Sequence, residues 1–111
     1  MAVFIFTSMP KKLLRLYKTA IDERQIETWS YDADGDFSHT PDQWLGKAWM
    51  RPKIDPATCL ILHILSPQDM DLSSETYGVY HGRFVESVLT HFDKMFTEAR
   101  ITAMPVEGDH V

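Results

Sequence analysis

Two short apolar runs, residues 2–7 and 58–65, constrain this chain most. Neither run alternates polar with apolar side chains, and both are short, which is typical of strands that are covered on both faces. Each run is followed by a segment whose apolar residues recur at helical spacing. The sequence therefore predicts a sheet with 2–7 and 58–65 as internal strands and two helices that cover it.

The first predicted helix begins near Pro10, with Ser8 as its N-cap, because proline suits a first helical turn. The second begins at Ser73 or Ser74 and runs to about Thr97. The apolar stripes are Leu13, Leu16, Tyr17, Ala20 and Ile21 in the first helix, and Phe84, Val85, Val88, Leu89, Phe92, Met95 and Phe96 in the second.

The segment between the first helix and the second apolar run contains Asp34-Gly35 between strand-forming residues. Glycine accepts the positive φ of a tight turn, so we predict a β-hairpin that pairs Trp29–Tyr31 with Phe37–His39. A capping-box pattern at 40–43 predicts a short helix through residues 44–48, which the following prolines end. Residues 100–104 predict a last short strand.

The predicted order is β-α-β-β-(short α)-β-α-β, which indicates an α+β fold. We expect a two-layer sandwich, in which a mixed sheet of four or five strands carries both main helices on one face. A right-handed crossover is expected between the first two strands. Residues 1–104 are expected to form a single α/β domain, and residues 105–111 a C-terminal tail that can be poorly ordered.

The charge balance excludes some classes of partner. Sixteen acidic residues against eleven Lys and Arg give a net charge of −5, whereas a nucleic-acid binder needs clustered cations. No apolar stretch approaches the roughly 20 residues of a membrane span. The only cysteine, Cys59, cannot pair within the chain. We therefore expect a cytoplasmic protein that contacts neither nucleic acid nor a membrane.

Acidic residues concentrate in two segments that lack Lys and Arg, residues 27–46 and residues 54–76. Large aromatic residues lie among the acids of the first segment, a combination that suits binding of a basic protein, because charge steers encounter and buried rings anchor the contact. The predicted partner-binding residues are Glu27, Trp29, Tyr31, Asp32, Asp34, Asp36, Phe37, Asp42, Trp44, Asp69 and Asp71. Ordinary core packing of the rings beside a solvated hairpin is the competing interpretation.

No metal, cofactor or catalytic motif is predicted. Asp32, Asp34 and Asp36 have the spacing of a calcium loop, but Phe37 occupies the glycine position and Gln43 replaces the bidentate glutamate. The five histidines lack the i, i+4 spacing of a helical metal site. We therefore expect a protein without enzymatic activity.

The alternative is a small enzyme or ligand-binding domain with a pocket near Tyr77, Tyr80, His81 and Arg83. These residues surround Gly78 and Gly82, which lie on one face of the second helix, and His81 could pair with a carboxylate as an acid-base group. Two glycines inside a helix need an offsetting role. We expect close internal packing there, with approach of a partner as the other use.

In size, acidity and compact α/β organisation, the chain resembles bacterial toxin-immunity proteins, including those of contact-dependent growth inhibition systems. The resemblance rests on the acidic, aromatic-rich segment 27–37 and on the second acidic loop. It implies a cytoplasmic, non-enzymatic inhibitor that binds a basic cognate toxin domain, usually a nuclease, and occludes its active site. We expect a monomer or weak homodimer when free, and a homo-oligomer that buries exposed tryptophans is a further alternative.

Overall fold

The computed structural model describes residues 1–111 and contains six strands and two helices. The strands are β1 (Ala2–Phe6), β2 (Trp29–Tyr31), β3 (Phe37–His39), β4 (Trp49–Asp55), β5 (Cys59–Leu65) and β6 (Glu98–Ile101). The helices are α1 (Pro10–Asp22) and α2 (Ser74–Phe92). All strands join one open sheet in the order β2-β3-β4-β5-β1-β6. Every neighbouring pair is antiparallel. The α+β class is confirmed, but the predicted mixed sheet of four or five strands is wrong.

The first two strands are not neighbours in the sheet, because β2 lies at one edge and β1 lies between β5 and β6. Without β2 and β3, the element order is β-α-β-β-α-β, that of the ferredoxin-like motif. The β2-β3 hairpin is an insertion between α1 and β4 that extends the sheet beyond β4. Its predicted pairing is confirmed, with Trp29 opposite His39 and Tyr31 opposite Phe37.

Strand β4 lies where the sequence analysis predicts no strand. Pro52 lies within β4, opposite Leu62 of β5. On its other side β4 pairs with β3 only at Met50, which is opposite Phe37, so this edge of β4 is free at Pro52. Proline is tolerated there because a strand with a free edge on one side does not need every backbone N–H. The predicted helix at 44–48 is instead a turn, closed by hydrogen bonds from the N–H groups of Trp44 and Leu45 to the Pro41 carbonyl.

Both helices cover the same face of the sheet, where their aromatic residues form the centre of the core. Phe84 of α2 stacks on Tyr17 of α1 at 4.8 Å between ring centroids. It also meets Trp29 edge to face at 5.1 Å and Phe37 at 5.6 Å. The apolar residues of β1 and β5 that join this core are Val3, Ile5, Leu60, Leu62 and Ile64.

The helix ends follow capping chemistry only in part. Ser73 caps α2 by accepting a hydrogen bond from the Thr76 N–H at 3.1 Å, as predicted. Ser8 does not cap α1, because Met9 holds the N-cap position without a side-chain hydrogen bond. Helix α2 ends at Phe92 rather than near Thr97, and β6 begins at Glu98, before the predicted start of the last strand.

Residues 105–111 fold back onto β5. His110 forms a parallel bridge with Leu65. The His110 N–H donates a hydrogen bond to the Ile64 carbonyl, and the His110 carbonyl accepts one from the Ser66 N–H. The tail therefore lies beside β5 on the same side as β1. Strand β1 begins at Ala2, opposite His63, and does not extend to Leu65. The backbone groups at the end of β5 thus find hydrogen-bond partners that β1 does not reach.

The two glycines of α2 are not held by internal packing, so that prediction is wrong. A Cβ atom built at Gly78 or Gly82 would meet no other atom within 4 Å. Alanine at either position is therefore expected to raise the free energy of unfolding by about 0.5–1 kcal/mol, because it lowers the entropy of the unfolded chain. Urea denaturation measures the change.

Gly35 is the matched control for the alanine substitutions, since its φ of 83° disfavours any side chain. Gly35→Ala should destabilise the protein. Destabilisation by Gly78→Ala or Gly82→Ala would contradict the open placement of these glycines.

Candidate functional site

The predicted acidic surface begins at the tip of the β2-β3 hairpin, whose turn is built by Asp32. Its Oδ1 accepts hydrogen bonds from the N–H groups of Asp34 and Asp36, both at 3.0 Å. Gly35 supplies the positive φ of the turn, as the sequence predicts. Asp32 and Asp34 are exposed to solvent.

Asp36 is turned away from the tip and forms a bidentate ion pair with Arg51 on β4. Arg51 Nε lies 3.0 Å from Asp36 Oδ1, and Nη2 lies 2.9 Å from Oδ2. The hydrogen bond to Asp36 raises the pKa of Arg51, and the charges of the neighbouring aspartates add to this effect. Only 5% of Asp36 is exposed. Its carboxylate therefore stabilises the hairpin against β4 and is not free to meet a partner.

Oxygen atoms of Asp32, Asp34 and Asp36 lie within 4.8 Å of one another. Arg51 contacts both oxygens of Asp36, and two N–H groups of the turn contact Oδ1 of Asp32. The geometry fits a hydrogen-bonded turn better than a cation site.

The tip also carries compensating cations. The Tyr31 hydroxyl donates to Asp22 of α1 at 2.7 Å, and this hydrogen bond raises the pKa of Tyr31. Lys18 Nζ lies 5.4 Å from the centroid of the Tyr31 ring. The tip is therefore a mixed surface, in which Lys18 and Arg51 offset part of the negative charge.

The rings of the predicted interface are divided between core and surface. Trp29 and Phe37 are 1% and 0% exposed, which removes them from the accessible surface, contrary to our expectation. Tyr31 and Trp44 are half-buried. The inward placement of Trp29 follows from its contacts, a 4.6 Å stack on His39 and an edge contact with Tyr80.

A second acidic group lies at the opposite end of the hairpin, five residues or roughly 16 Å along the chain from the tip. Glu27 is placed there because its carbonyl accepts a hydrogen bond from the Thr40 hydroxyl at 2.9 Å. Asp42 follows in the loop that joins β3 to β4. Both carboxylates are exposed.

The acidic loop after β5 emerges at this same end of the sheet, because Trp49, the first residue of β4, is opposite Leu65, the last residue of β5. Asp69 and Asp71 are exposed in this loop, and Met70 between them is 55% exposed. The loop and the residues 109–111 of the tail border a groove of about 530 Å³.

We call this end of the molecule the loop-end surface. It combines four exposed carboxylates with two exposed apolar side chains and one half-buried ring. Its members are Glu27, Asp42, Trp44, Leu45, Asp69, Met70 and Asp71. Leu45, which is 53% exposed, and Met70 are members that the sequence analysis did not single out. A leucine and a methionine in loops carry no pattern that predicts exposure.

The residues of the alternative pocket do not surround one cavity. Tyr80 and His81 are 0% and 1% exposed, Tyr77 is half-buried, and Arg83 is exposed on the outer side of α2. The Tyr80 hydroxyl donates to the Trp44 carbonyl, so it anchors the β3-β4 loop to the helix.

His81 is a core residue in this arrangement. Its Nδ1 lies 2.6 Å from the Tyr77 carbonyl, one helical turn away. Burial lowers the pKa of His81, and burial also lowers the pKa of His39. Both rings are therefore neutral near pH 7, and neither faces an accessible substrate space.

Neither α1 nor α2 combines the length with the apolar content that a membrane span needs. Comparison of the chain with known protein families, with curated proteins and with solved structures finds no match.

Proposed function

We propose that this protein is a binding module without chemistry of its own, which inhibits a basic partner protein by covering it with the loop-end surface. The partner that suits this surface best is a cognate toxin domain of the nuclease class, whose active site must attract phosphates. Carboxylates presented on a rigid domain can imitate those phosphates. The protein would then act as a cytoplasmic immunity protein.

The observation that carries the proposal is the charge of the three segments that lie at this end of the sheet. Residues 26–28, 40–48 and 66–72 contain four carboxylates and a single cation, Lys47. The exposed side chains of Leu45 and Met70 lie in the same loops. An apolar centre within steering charges is the usual composition of an energetic hot spot. The hairpin tip has less to offer, because Lys18 and Arg51 offset its charge.

The alternative function as an enzyme or ligand-binding domain has little support in this geometry. Its four residues lie partly in the core and partly on the outer side of α2. A general acid or base must reach its substrate within hydrogen-bond distance, directly or through one water molecule. Buried His81 has no such access.

The test is a charge reversal at the loop end, Asp69→Lys with Asp71→Lys, measured against basic nuclease-class toxin domains taken from the products of neighbouring genes. We expect the association rate to fall by about tenfold or more at low salt, because steering charge is lost. Stopped-flow fluorescence measures the rate, and growth of cells that express the toxin measures protection.

The matched control is Asp34→Lys with Asp93→Lys, which changes the net charge equally but at two exposed positions away from the loop end. It should slow association less than the loop-end variant does. Equal effects of both variants would mean that only net charge matters. Lack of any complex with the neighbouring toxin would reject the inhibitor function.

A further inference from the structure

The sheet has a second face that neither helix covers. Side chains alternate along each strand, so the neighbours of the core residues in β1 and β5 point to this open face. Phe4 and Phe6 therefore lie on it from β1, and Cys59 and Ile61 from β5. The three larger side chains remain partly accessible, and Cys59 is buried between its neighbours.

The tail covers only one end of this open face, over His63. A Cβ atom at Gly108 would lie 2.7 Å from atoms of the His63 ring, so the tail backbone rests directly on that ring. His63 Nδ1 also contacts Asp109 Oδ1 at 3.0 Å. The rest of the open face is left without a covering element.

Beyond His63, the open face of β4, β5, β1 and β6 consists of two rows that cross the sheet, as the strand register defines them. The first row is Lys53, Ile61, Phe4 and Arg100. The second row is Asp55, Cys59, Phe6 and Glu98. Neighbours within a row are about 5 Å apart, and the rows lie two residues, or about 7 Å, apart along the strands.

Each row has an apolar middle and charged ends, and the charges of the two rows are opposite. Lys53 and Arg100 end the first row, and Asp55 and Glu98 end the second. All four charged residues are exposed. Arg100 contacts Glu98 at 3.0 Å and lies 5.0 Å over the Phe6 ring. These weak surface contacts leave the charges available.

We propose that the open face binds a second copy of this chain, sheet against sheet, about a twofold axis that crosses the strands midway between the two rows. This operation places Lys53 over the partner's Asp55 and Arg100 over the partner's Glu98. It also places Phe4 against the partner's Phe6. Every contact occurs twice, as in any isologous interface, and two sheets packed in this way lie about 10 Å apart.

The charge pattern selects a second copy over other partners. The uncovered rows carry two cations and two anions, so their net charge is zero. A nucleic acid requires an excess of cations. A strongly charged protein partner would meet attraction in one row and repulsion in the other. Only a partner with the reversed row order matches both rows, and the twofold operation supplies it. This surface is separate from the loop-end surface.

The experiment is sedimentation velocity over a dilution series, up to a protein concentration of about 1 mM. We expect a reversible dimer. Lys53→Glu should weaken it by about tenfold, since two attractive contacts become repulsive. The double variant Lys53→Glu with Asp55→Lys should restore dimerisation, because the swapped charges again oppose each other.

Lys12→Glu is the matched control, with the same charge change at an exposed position of α1, and it should leave the dimer intact. A protein that stays monomeric throughout would overturn the proposal. So would a dimer that is insensitive to Lys53→Glu or is not restored by the double variant. Toxin binding by Lys53→Glu should persist, which separates this test from that of the proposed function.

Discussion

Replacing Asp109 with alanine is expected to lower the free energy of unfolding by about 3–5 kcal/mol. The Asp109 side chain is completely buried in the tail. Its carboxylate accepts hydrogen bonds from the N–H of Val106 at 2.9 Å and of Ile64 at 3.3 Å, and it contacts His63 at 3.0 Å. The amino group of Met1 lies 3.2 Å away. Alanine would leave these buried groups without their common partner.

Urea denaturation measures this loss, and Asp109→Asn should lose less because it keeps one acceptor oxygen. Glu107→Ala, an exposed position in the same tail, is the control and should change stability by no more than about 0.5 kcal/mol. A loss of similar size in Asp109→Ala and Glu107→Ala would show that the carboxylate does not hold the tail.

The Asp109 carboxylate also makes the stability of the protein depend on pH in acid. Burial acts to raise the pKa of Asp109, but the hydrogen bonds from Val106 and His63 and the amino group of Met1 outweigh it and hold the pKa below its usual value of 3.8. Stability from the ionised form is therefore present above pH 3.8 and is lost as the pH falls through the lowered pKa. The advantage of the unmodified protein over Asp109→Asn should shrink in that range.

Phe84→Ala should cost a similar amount, about 3–5 kcal/mol, because it opens a cavity where the two helices meet the hairpin. Phe84 is 1% exposed and contacts Tyr17, Trp29 and Phe37 within 5.6 Å between ring centroids. Thermal and urea unfolding measure the loss.

Leu89→Ala is the control for the Phe84 substitution, since Leu89 belongs to the same helix but is 51% exposed. It should cost no more than about 0.5 kcal/mol. Phe84→Leu should fall between the two variants. If Phe84→Ala cost no more than Leu89→Ala, the aromatic cluster would not be the centre of stability.

Local chemistry explains which elements could be predicted from the sequence. The Asp34-Gly35 turn sets the hairpin register, because glycine has the required φ of 83°. The apolar runs predict β1 and β5 because few helices are that short and apolar. Strand β4 could not be predicted, since Pro52 breaks most strands and its tolerance depends on where β3 stops pairing.

The site is harder to predict than the fold because it depends on which side each residue faces. Strand parity assigns alternate rings to the core but does not say which set, and Trp29 packs inward against His39, Tyr80 and Phe84. The partners of Asp36 and Asp109, Arg51 and His63, are distant in the chain and follow no local pattern. Three of the predicted partner-binding residues, Trp29, Asp36 and Phe37, are therefore buried instead of exposed.

The location of β1 between β5 and β6 determines how late this strand can pair during synthesis on the ribosome. Phe4 pairs with Ile61 of β5 and with Arg100 of β6, and both residues are synthesised long after it. Of the six strands, β1 is thus synthesised first and is among the last to be enclosed, so its apolar residues stay open to aggregation during translation. Slow translation of residues 58–101 should increase the demand for chaperones more than slow translation of α1.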